Sequence, residues 1–198
     1  CAPWPLQLDL IYKGQKLDKF IVSSLQQKKI LCKYLGWKNS KIKVIPSLRF
    51  KKKKKKELNG YLFVPYNLKK NNDYLYRLKD YLSKINENNK INYSIRIHPL
   101  NNNSKKHIDF RDDCNEILNK FSKKTKKTIN NSLFFGSATG VCIQALEEGT
   151  TITHFPDDTS EVFTNKIWPT LKIKQLGNSI YEYKLLKINQ TFLVKKDK

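Results

Sequence analysis

The chain has 198 residues and a formal net charge of +22 at pH 7, with 39 Lys and Arg against 17 Asp and Glu. Only four of the 39 cationic residues are Arg, so 35 are Lys, and this ratio argues against specific recognition of nucleic acid, which favours the bidentate Arg side chain. The sequence contains no apolar run of about 18 residues, the length that a membrane span requires.

The first recognisable elements are a strand, a helix and a second strand. DKFIVSS, which begins at Asp18, is rich in strand-forming residues. SLQQKKILCKYLGW then has apolar residues at helical spacing, with Ser23 or Ser24 as the N-cap and Gly36 at the end. KIKVIPSL follows as a strand that Pro46 ends. This order predicts one βαβ unit.

A charged, low-complexity segment, KKKKKKELNG, separates this unit from the rest of the chain. Its charge repulsion resists packing, so it predicts a domain boundary. We expect residues 1–50 to be the end of a truncated first domain, residues 51–60 to be a basic linker, and residues 61–198 to form a second domain with a C-terminal tail. The lysine run itself has two interpretations, a solvated linker or a surface that rests against anionic lipid.

The second domain begins with a predicted strand, YLFVPY, at residues 61–66, followed by a helix capped within Asn71–Asp73. NYSIRIHPL, at residues 92–100, predicts the next strand, and Asp109 is a possible cap for a helix over residues 110–123. The first of these helices has a core-facing apolar stripe consisting of Tyr74, Leu75, Leu78, Leu82 and Ile85.

A strand, a turn, a helix and another strand are predicted next, in the stretch NNSLFFGSATGVCIQALEEGTTITHFP. Their predicted bounds are Ser132–Phe135, Gly136–Ser137, Ala138–Gly149 and Thr150–Phe155. The tail then predicts a short helix over 161–168 and two extended segments, LKIKQL and IYEYKLL. The alternation of strands and helices predicts an α/β domain with a parallel sheet, in which ligands bind at the carboxyl ends of the strands.

The turn Gly136-Ser137-Ala138-Thr139-Gly140 is the first candidate binding element. A helix that begins on small residues presents backbone N–H groups and the positive end of its dipole to an anion. The hydroxyls of Ser137 and Thr139 can donate hydrogen bonds to phosphate oxygens. An ordinary N-capped helix packed tightly on its strand is the alternative interpretation.

Arg96-Ile97-His98-Pro99 is the second candidate. The alternation of side chains along a strand places Arg96 and His98 on one side, and Pro99 stops the strand where His98 reaches the edge. Such a histidine can donate to a phosphate, although a structural histidine is the alternative. The third candidate is the predicted helix Gly140–Gly149, in which Gln144 is suited to bind a ribose hydroxyl.

Metal and disulfide chemistry find little support in the sequence. The four Cys residues lie far apart without a C-x-x-C pair, which is typical of reduced thiols in a cytosolic protein. The spacing of His98, His107 and Cys114 matches no standard zinc pattern. We therefore expect no metal and no cofactor.

The order of these segments, ending in SLFFGSATGVCIQALEEGTTITHF, resembles the hinge and the C-terminal, Rossmann-like donor-binding domain of GT-B glycosyltransferases, over about Asp18 to Phe155. The resemblance implies the C-terminal half of a GT-B fold, preceded by a βαβ remnant of the first domain. Many family members have a ribose-binding Glu before the Ala-Leu pair, where this chain has Gln144. The His98-Pro99 pair and Ser137 are similar to the HP and Ser motifs of bacterial sialyltransferases and Kdo transferases, which use CMP-activated sugars.

By this resemblance His98 would contact the donor phosphate, and Ser137 with Thr139 would hold the same group. Together with the candidates named above, the predicted donor site has eight residues: Arg96, His98, Pro99, Gly136, Ser137, Thr139, Gly140 and Gln144. The resemblance implies a nucleotide-activated sugar as substrate, a glycan or lipid-linked acceptor, no bound metal, and work on bacterial surface polysaccharide such as lipopolysaccharide or capsule at the cytoplasmic face of the membrane. No catalytic residue is assigned. The absence of Met and the start at Cys1 indicate a fragment, which we expect to transfer poorly.

Two other functions stay open from the sequence. A similar HP pair occurs in the transferases that build teichoic-acid polymers from CDP-alcohols, so a CDP-alcohol phosphotransferase would share the site. A non-enzymatic basic module that binds nucleic acid or anionic membrane would instead bind with a steep dependence on salt.

Overall fold

The computed structural model describes residues 18–34, 36–45, 58–85, 92–121, 131–136, 140–157, 162, 168–177 and 179–186. These residues form an α/β structure with two sheets, in which α-helices connect the parallel strands. In chain order the elements are β1 (Phe20–Val22), α1 (Leu25–Tyr34), β2 (Ile42–Val44), β3 (Tyr61–Phe63), α2 (Asn71–Ile85), β4 (Ser94–Arg96), α3 (Lys105–Phe121), β5 (Asn131–Phe135), α4 (Gly140–Glu147), β6 (Thr151–Phe155), β7 (Leu171–Gly177) and β8 (Ile180–Leu185).

The βαβ unit predicted near the start is present. β1 and β2 pair in parallel, and α1 connects them. Ser24 is the N-cap, because its hydroxyl accepts from the N–H of Gln27 at 3.1 Å while the Gln27 side chain accepts from the N–H of Ser24 at 3.2 Å. This reciprocal pair is a capping box, which satisfies N–H groups that the first helical turn leaves unpaired. Gly36, with φ +66°, follows the end of the helix as predicted.

The larger sheet has six strands in the order β4-β3-β5-β6-β8-β7. The first four pair in parallel, whereas β8 pairs antiparallel with both β6 and β7. The expectation of a purely parallel sheet is therefore wrong at one edge. LKIKQL and IYEYKLL are joined by a tight turn through Ser179, and a turn this short allows only antiparallel pairing. The mixed, mostly parallel sheet is compatible with a Rossmann-like architecture.

Two hydrophobic cores lie on opposite faces of this sheet. Alternating side chains along β5 show the division, because Leu133 and Phe135 belong to the core under α2 and α3, while Phe134 belongs to the core under α4. Every residue of β5 is buried, as a central parallel strand requires. Leu58, within the predicted linker, is buried in the α4 core.

The apolar stripe predicted on α2 packs against the core as expected. Tyr74, Leu78 and Leu82 of α2 are buried, and Leu75 and Ile85 pack against the same core. The next helix differs from the prediction, because α3 begins at Lys105 and Asp109 lies inside it. Ser104 precedes that helix, and its carbonyl accepts from the N–H groups of His107 and Ile108.

A polar network is buried near the amino ends of the strands. The Asn131 amide donates to the hydroxyls of Tyr81 and Thr153 at 2.9 and 2.8 Å, and its oxygen accepts from Tyr93 at 2.5 Å. Asn131 thereby joins β5 to β6, to α2 and to the segment before β4. Such fully hydrogen-bonded networks specify one arrangement of a core.

The predicted helix over 161–168 falls largely outside the described residues, as does the lysine run at 51–56. Within the described part of the chain, no helix has both the length and the apolar character to span a membrane.

Candidate functional site

A cavity of about 710 Å³ opens at the carboxyl ends of the parallel strands. The connection from β3 to β4 runs one way across the sheet, and the connection from β4 to β5 returns past β3. The strand order therefore reverses between β3 and β5, which is the position where open α/β sheets bind ligands. The cavity is lined by residues that follow β3 and β4, by the end of β5 and by the start of α4. Its volume falls in the range of small-molecule sites, which is about 300–1,000 Å³.

Arg96 is the cation in the cavity wall. It ends β4, and its guanidinium lies over the ring of Tyr61 with 3.9 Å between the guanidinium carbon and the ring centroid. This cation–π contact fixes the plane of the guanidinium and leaves its N–H edge for another partner. Arg96 forms no ion pair with any of the described residues. Its neighbours Ile95 and Ile97 pack against the opposite core, so Arg96 faces the α4 side of the sheet.

His98 lies two residues further along and also lines the cavity. Its Nδ1 accepts from the N–H of Leu100 at 3.3 Å, which makes it the N-cap of a short 3₁₀ helix, Pro99–Asn101. Because Nδ1 is the acceptor, a neutral His98 carries its proton on Nε2. The ring of Tyr66 meets the His98 ring edge-on, with 5.1 Å between centroids. His98 is thus an exposed but oriented imidazole, and Pro99 sets the turn.

Gln144 of α4 approaches the cavity from the opposite wall. Its amide nitrogen donates to one oxygen of Glu148 at 3.2 Å, and the other Glu148 oxygen accepts from the N–H of Leu58 at 3.2 Å. A carboxylate only accepts hydrogen bonds, so this contact assigns the nitrogen and the oxygen of the amide. The amide oxygen of Gln144 remains as an acceptor for a donor group on a ligand.

Aromatic side chains form the apolar part of the wall. The rings of Phe63 and Phe134 stack with 4.4 Å between centroids and 17° between planes, and both residues line the cavity. Gly140, the first residue of α4, lies in the same wall. The predicted phosphate-binding hydroxyls of Ser137 and Thr139 lie outside the described residues.

Gly136 has a different position from the other predicted site residues, because it is not among the described residues that line the cavity. Its φ is +74°, and its N–H donates to the carbonyl of Phe155 at 2.9 Å. A Cβ there would lie 3.0 Å from the Cβ of Pro65 and 3.2 Å from the hydroxyl of Tyr74. Gly136 therefore shapes the turn, and its N–H is already bonded to Phe155, so its donor-binding role stays a prediction.

His154 of β6 holds the carbonyl of Gly136, a contact that the sequence did not reveal. Its Nε2 lies 2.5 Å from that oxygen, and its Nδ1 lies 3.2 Å from the hydroxyl of Tyr183. Because a carbonyl only accepts, Nε2 carries the proton and Nδ1 accepts from Tyr183. Burial lowers the pKa of His154 to about 4, so the ring is neutral at pH 7. The sequence shows only a histidine in the strand TITHF, beside the polar Thr151 and Thr153.

A second set of contacts joins the end of β6 to α2. Tyr74 donates to Asp157 at 3.0 Å, and Arg77 donates to the carbonyl of Pro156 and to Asp73, each at 2.7 Å. Burial, with the Asp157 carboxylate second, raises the pKa of Tyr74 well above its usual value. These contacts fix the loop that faces the Gly136 turn.

Of the eight predicted site residues, five line one cavity: Arg96, His98, Pro99, Gly140 and Gln144. Within the described ranges, no cluster of three or more His, Cys, Asp and Glu side chains could hold a metal ion. His107 instead bonds to Ser104, to Asn101 and to the carbonyl of Tyr66.

No protein-family model matches the chain, and comparisons with curated proteins and with solved structures give no match.

Proposed function

We propose that the cavity binds a nucleotide-activated sugar and that the chain is the donor-binding part of a GT-B glycosyltransferase. The observation that carries the proposal is the Arg96 guanidinium, which has no acidic partner among the described residues and lines a cavity at the point where the strand order reverses. A cation without an acidic partner at that position suits a phosphate, which Arg binds with two parallel hydrogen bonds.

Each chemical part of a nucleotide donor has a suitable partner in the wall. Arg96 and the Nε2–H of His98 would donate to the phosphate oxygens. The amide oxygen of Gln144 would accept from a ribose hydroxyl, and the stacked rings of Phe63 and Phe134 would contact the base. Gly140 would let the donor approach the backbone closely at the start of α4.

The class of donor comes from the resemblance of the sequence. Ser137 and Thr139 belong to the proposed site through that resemblance, as holders of the same phosphate. A CMP-linked sugar is the donor that the HP and Ser motifs favour, with a glycan or lipid-linked acceptor in the synthesis of bacterial surface polysaccharide. Location at the inner face of the membrane belongs to the same proposal. We assign no catalytic residue, because GT-B enzymes commonly draw the acceptor-activating base from their first domain.

Titration calorimetry with CMP, CDP and UDP tests the proposal. Arg96→Ala should weaken binding by about 1.5–3 kcal/mol and His98→Ala by about 1–3 kcal/mol, because each removes a donor to a charged group. Arg111→Ala is the matched control, since Arg111 carries the same charge on α3 and pairs with Asp112 away from the cavity. Nucleotide binding that is absent, or that falls equally in all three variants, would contradict the proposal.

Two comparisons separate the competing functions. A basic module without a specific site would lose affinity steeply with salt and would not respond to His98→Ala. A CDP-alcohol phosphotransferase would share the dependence on Arg96 and His98 but would bind CDP-glycerol in preference to CMP-sialic acid. A screen of nucleotide donors by calorimetry, with a salt titration, therefore distinguishes these two functions from the proposed glycosyltransferase.

A further inference from the structure

Two segments that follow β3 and β4 beside the cavity form one continuous surface, which we call the basic rim. It consists of residues 66–70 and 98–106. The carbonyl of Tyr66 accepts from the side chain of Asn101 at 2.8 Å, and Lys106 donates to the carbonyl of Leu68. These contacts hold the two segments together at the carboxyl edge of the sheet.

The sequence of the basic rim carries an excess of positive charge. Lys69, Lys70, Lys105 and Lys106 are exposed, and neither segment contains an Asp or a Glu. Both α2 and α3 begin at this edge, so the positive ends of their dipoles add to the potential. The acidic residues that follow along the chain are Asp73, which pairs with Arg77, and Asp109 in α3.

Apolar side chains protrude among these lysines. Leu100 is 78% exposed, and Tyr66, which is 50% exposed, meets the ring of His98, two residues before Leu100. An aliphatic tip, an aromatic ring at the water boundary and surrounding lysines form the combination that binds the interface of an anionic bilayer. A nucleic-acid surface would favour Arg, which neither segment contains.

We propose that the basic rim docks on an anionic lipid bilayer, with Leu100 and Tyr66 inserted among the headgroups and Lys69 and Lys105 against lipid phosphates. Tyr66 and His98 also line the cavity, so docking brings the mouth of the cavity to the bilayer surface. Docking of the basic rim does not depend on the identity of the ligand in the cavity.

Tryptophan fluorescence of the full chain tests the insertion. On vesicles of phosphatidylglycerol and phosphatidylcholine, the emission of the Trp in Leu100→Trp should shift to shorter wavelength and be quenched by brominated lipid. The signal of the parent chain, which has three Trp, is subtracted. Leu186→Trp is the matched control, because Leu186 is 58% exposed and follows the end of β8. Since β8 runs antiparallel to β6, this position lies at the amino ends of the parallel strands, away from the basic rim. An equal response of both variants, or no response of Leu100→Trp, would overturn the proposal.

Charge-neutral variants test the lysines. Lys69→Gln with Lys105→Gln should lower the vesicle partition coefficient by about 10- to 30-fold, since each lysine near the surface contributes about 1 kcal/mol. Lys172→Gln with Lys174→Gln removes the same charge from exposed positions on β7 and should have a much smaller effect. Equal losses of vesicle binding in the two double variants would mean that the overall charge of the chain binds the membrane. Binding of RNA but not of vesicles through the basic rim would assign the rim another partner. Either result refutes the proposal.

Discussion

His154 should make the stability of the folded chain depend on pH. The ring is fully buried, its Nε2–H donates to Gly136, and burial lowers its pKa from 6.5 to about 4. Between pH 6.5 and pH 4 the unfolded chain therefore binds a proton that the folded chain does not. The free energy of unfolding should fall as the pH falls through this window. A shift of this size corresponds to about 3 kcal/mol once the pH is below 4.

His154→Gln isolates this contribution, because the Gln amide nitrogen can still donate to the carbonyl of Gly136 but does not titrate. Urea unfolding at pH 7, 6, 5 and 4.5 would be measured for both proteins. Carboxylates and the other two His residues are present in both, so their contributions cancel in the difference. The variant should become relatively more stable as the pH falls, by about 2–3 kcal/mol at pH 4.5 relative to pH 7. Identical pH dependence in the two proteins would refute the assignment of a buried, neutral His154.

Three further predictions concern the fold that supports the cavity. Gly136→Ala should destabilise the protein by about 1–3 kcal/mol more than Gly177→Ala in urea unfolding, because both positions have positive φ but only a Cβ at Gly136 meets Pro65 and Tyr74; equal losses would contradict the packing. Asn131→Ala should cost about 2–4 kcal/mol, since it removes three buried hydrogen bonds, whereas exposed Asn103→Ala should cost less than about 0.5 kcal/mol. Burial raises the pKa of Cys114 to about 12 and raises that of Cys142 further, so a maleimide should modify half-buried Cys32 well before either, as mass spectrometry would show.

Local patterns were sufficient to predict the strands and helices of the parallel region. β5 and β6 are short segments that contain aromatic or β-branched residues and end at a turn residue, and the stripe on α2 has the 3.6-residue period of a helix. Each element is therefore encoded within its own segment. Arg96 and His98 could be placed together because alternation along a strand and the common carboxyl edge of parallel strands are general rules.

Features that depend on contacts between distant segments could not be predicted. The antiparallel edge formed by β7 and β8 depends on which strand pairs with the free side of β6. Neither LKIKQL nor IYEYKLL contains a pattern that predicts this pairing. The contact of His154 with Gly136 joins residues 18 positions apart, on either side of α4. The start of α3 was missed because polar residues around Ser104 look like a loop until the helix that they cap is visible.

The central claim is that a nucleotide binds in the cavity between β3, β4 and α4, and NMR chemical-shift mapping tests it most directly. CMP titrated into the isotope-labelled full chain should perturb the amides of Phe63, Val64 and Tyr66, and those of residues 96–98 and 140–144, with a common dissociation constant. The amides of β7 and of α1 should stay unchanged. Shifts confined to residues outside the cavity, or shifts that disappear in moderate salt and are unaltered by Arg96→Ala, would contradict the claim.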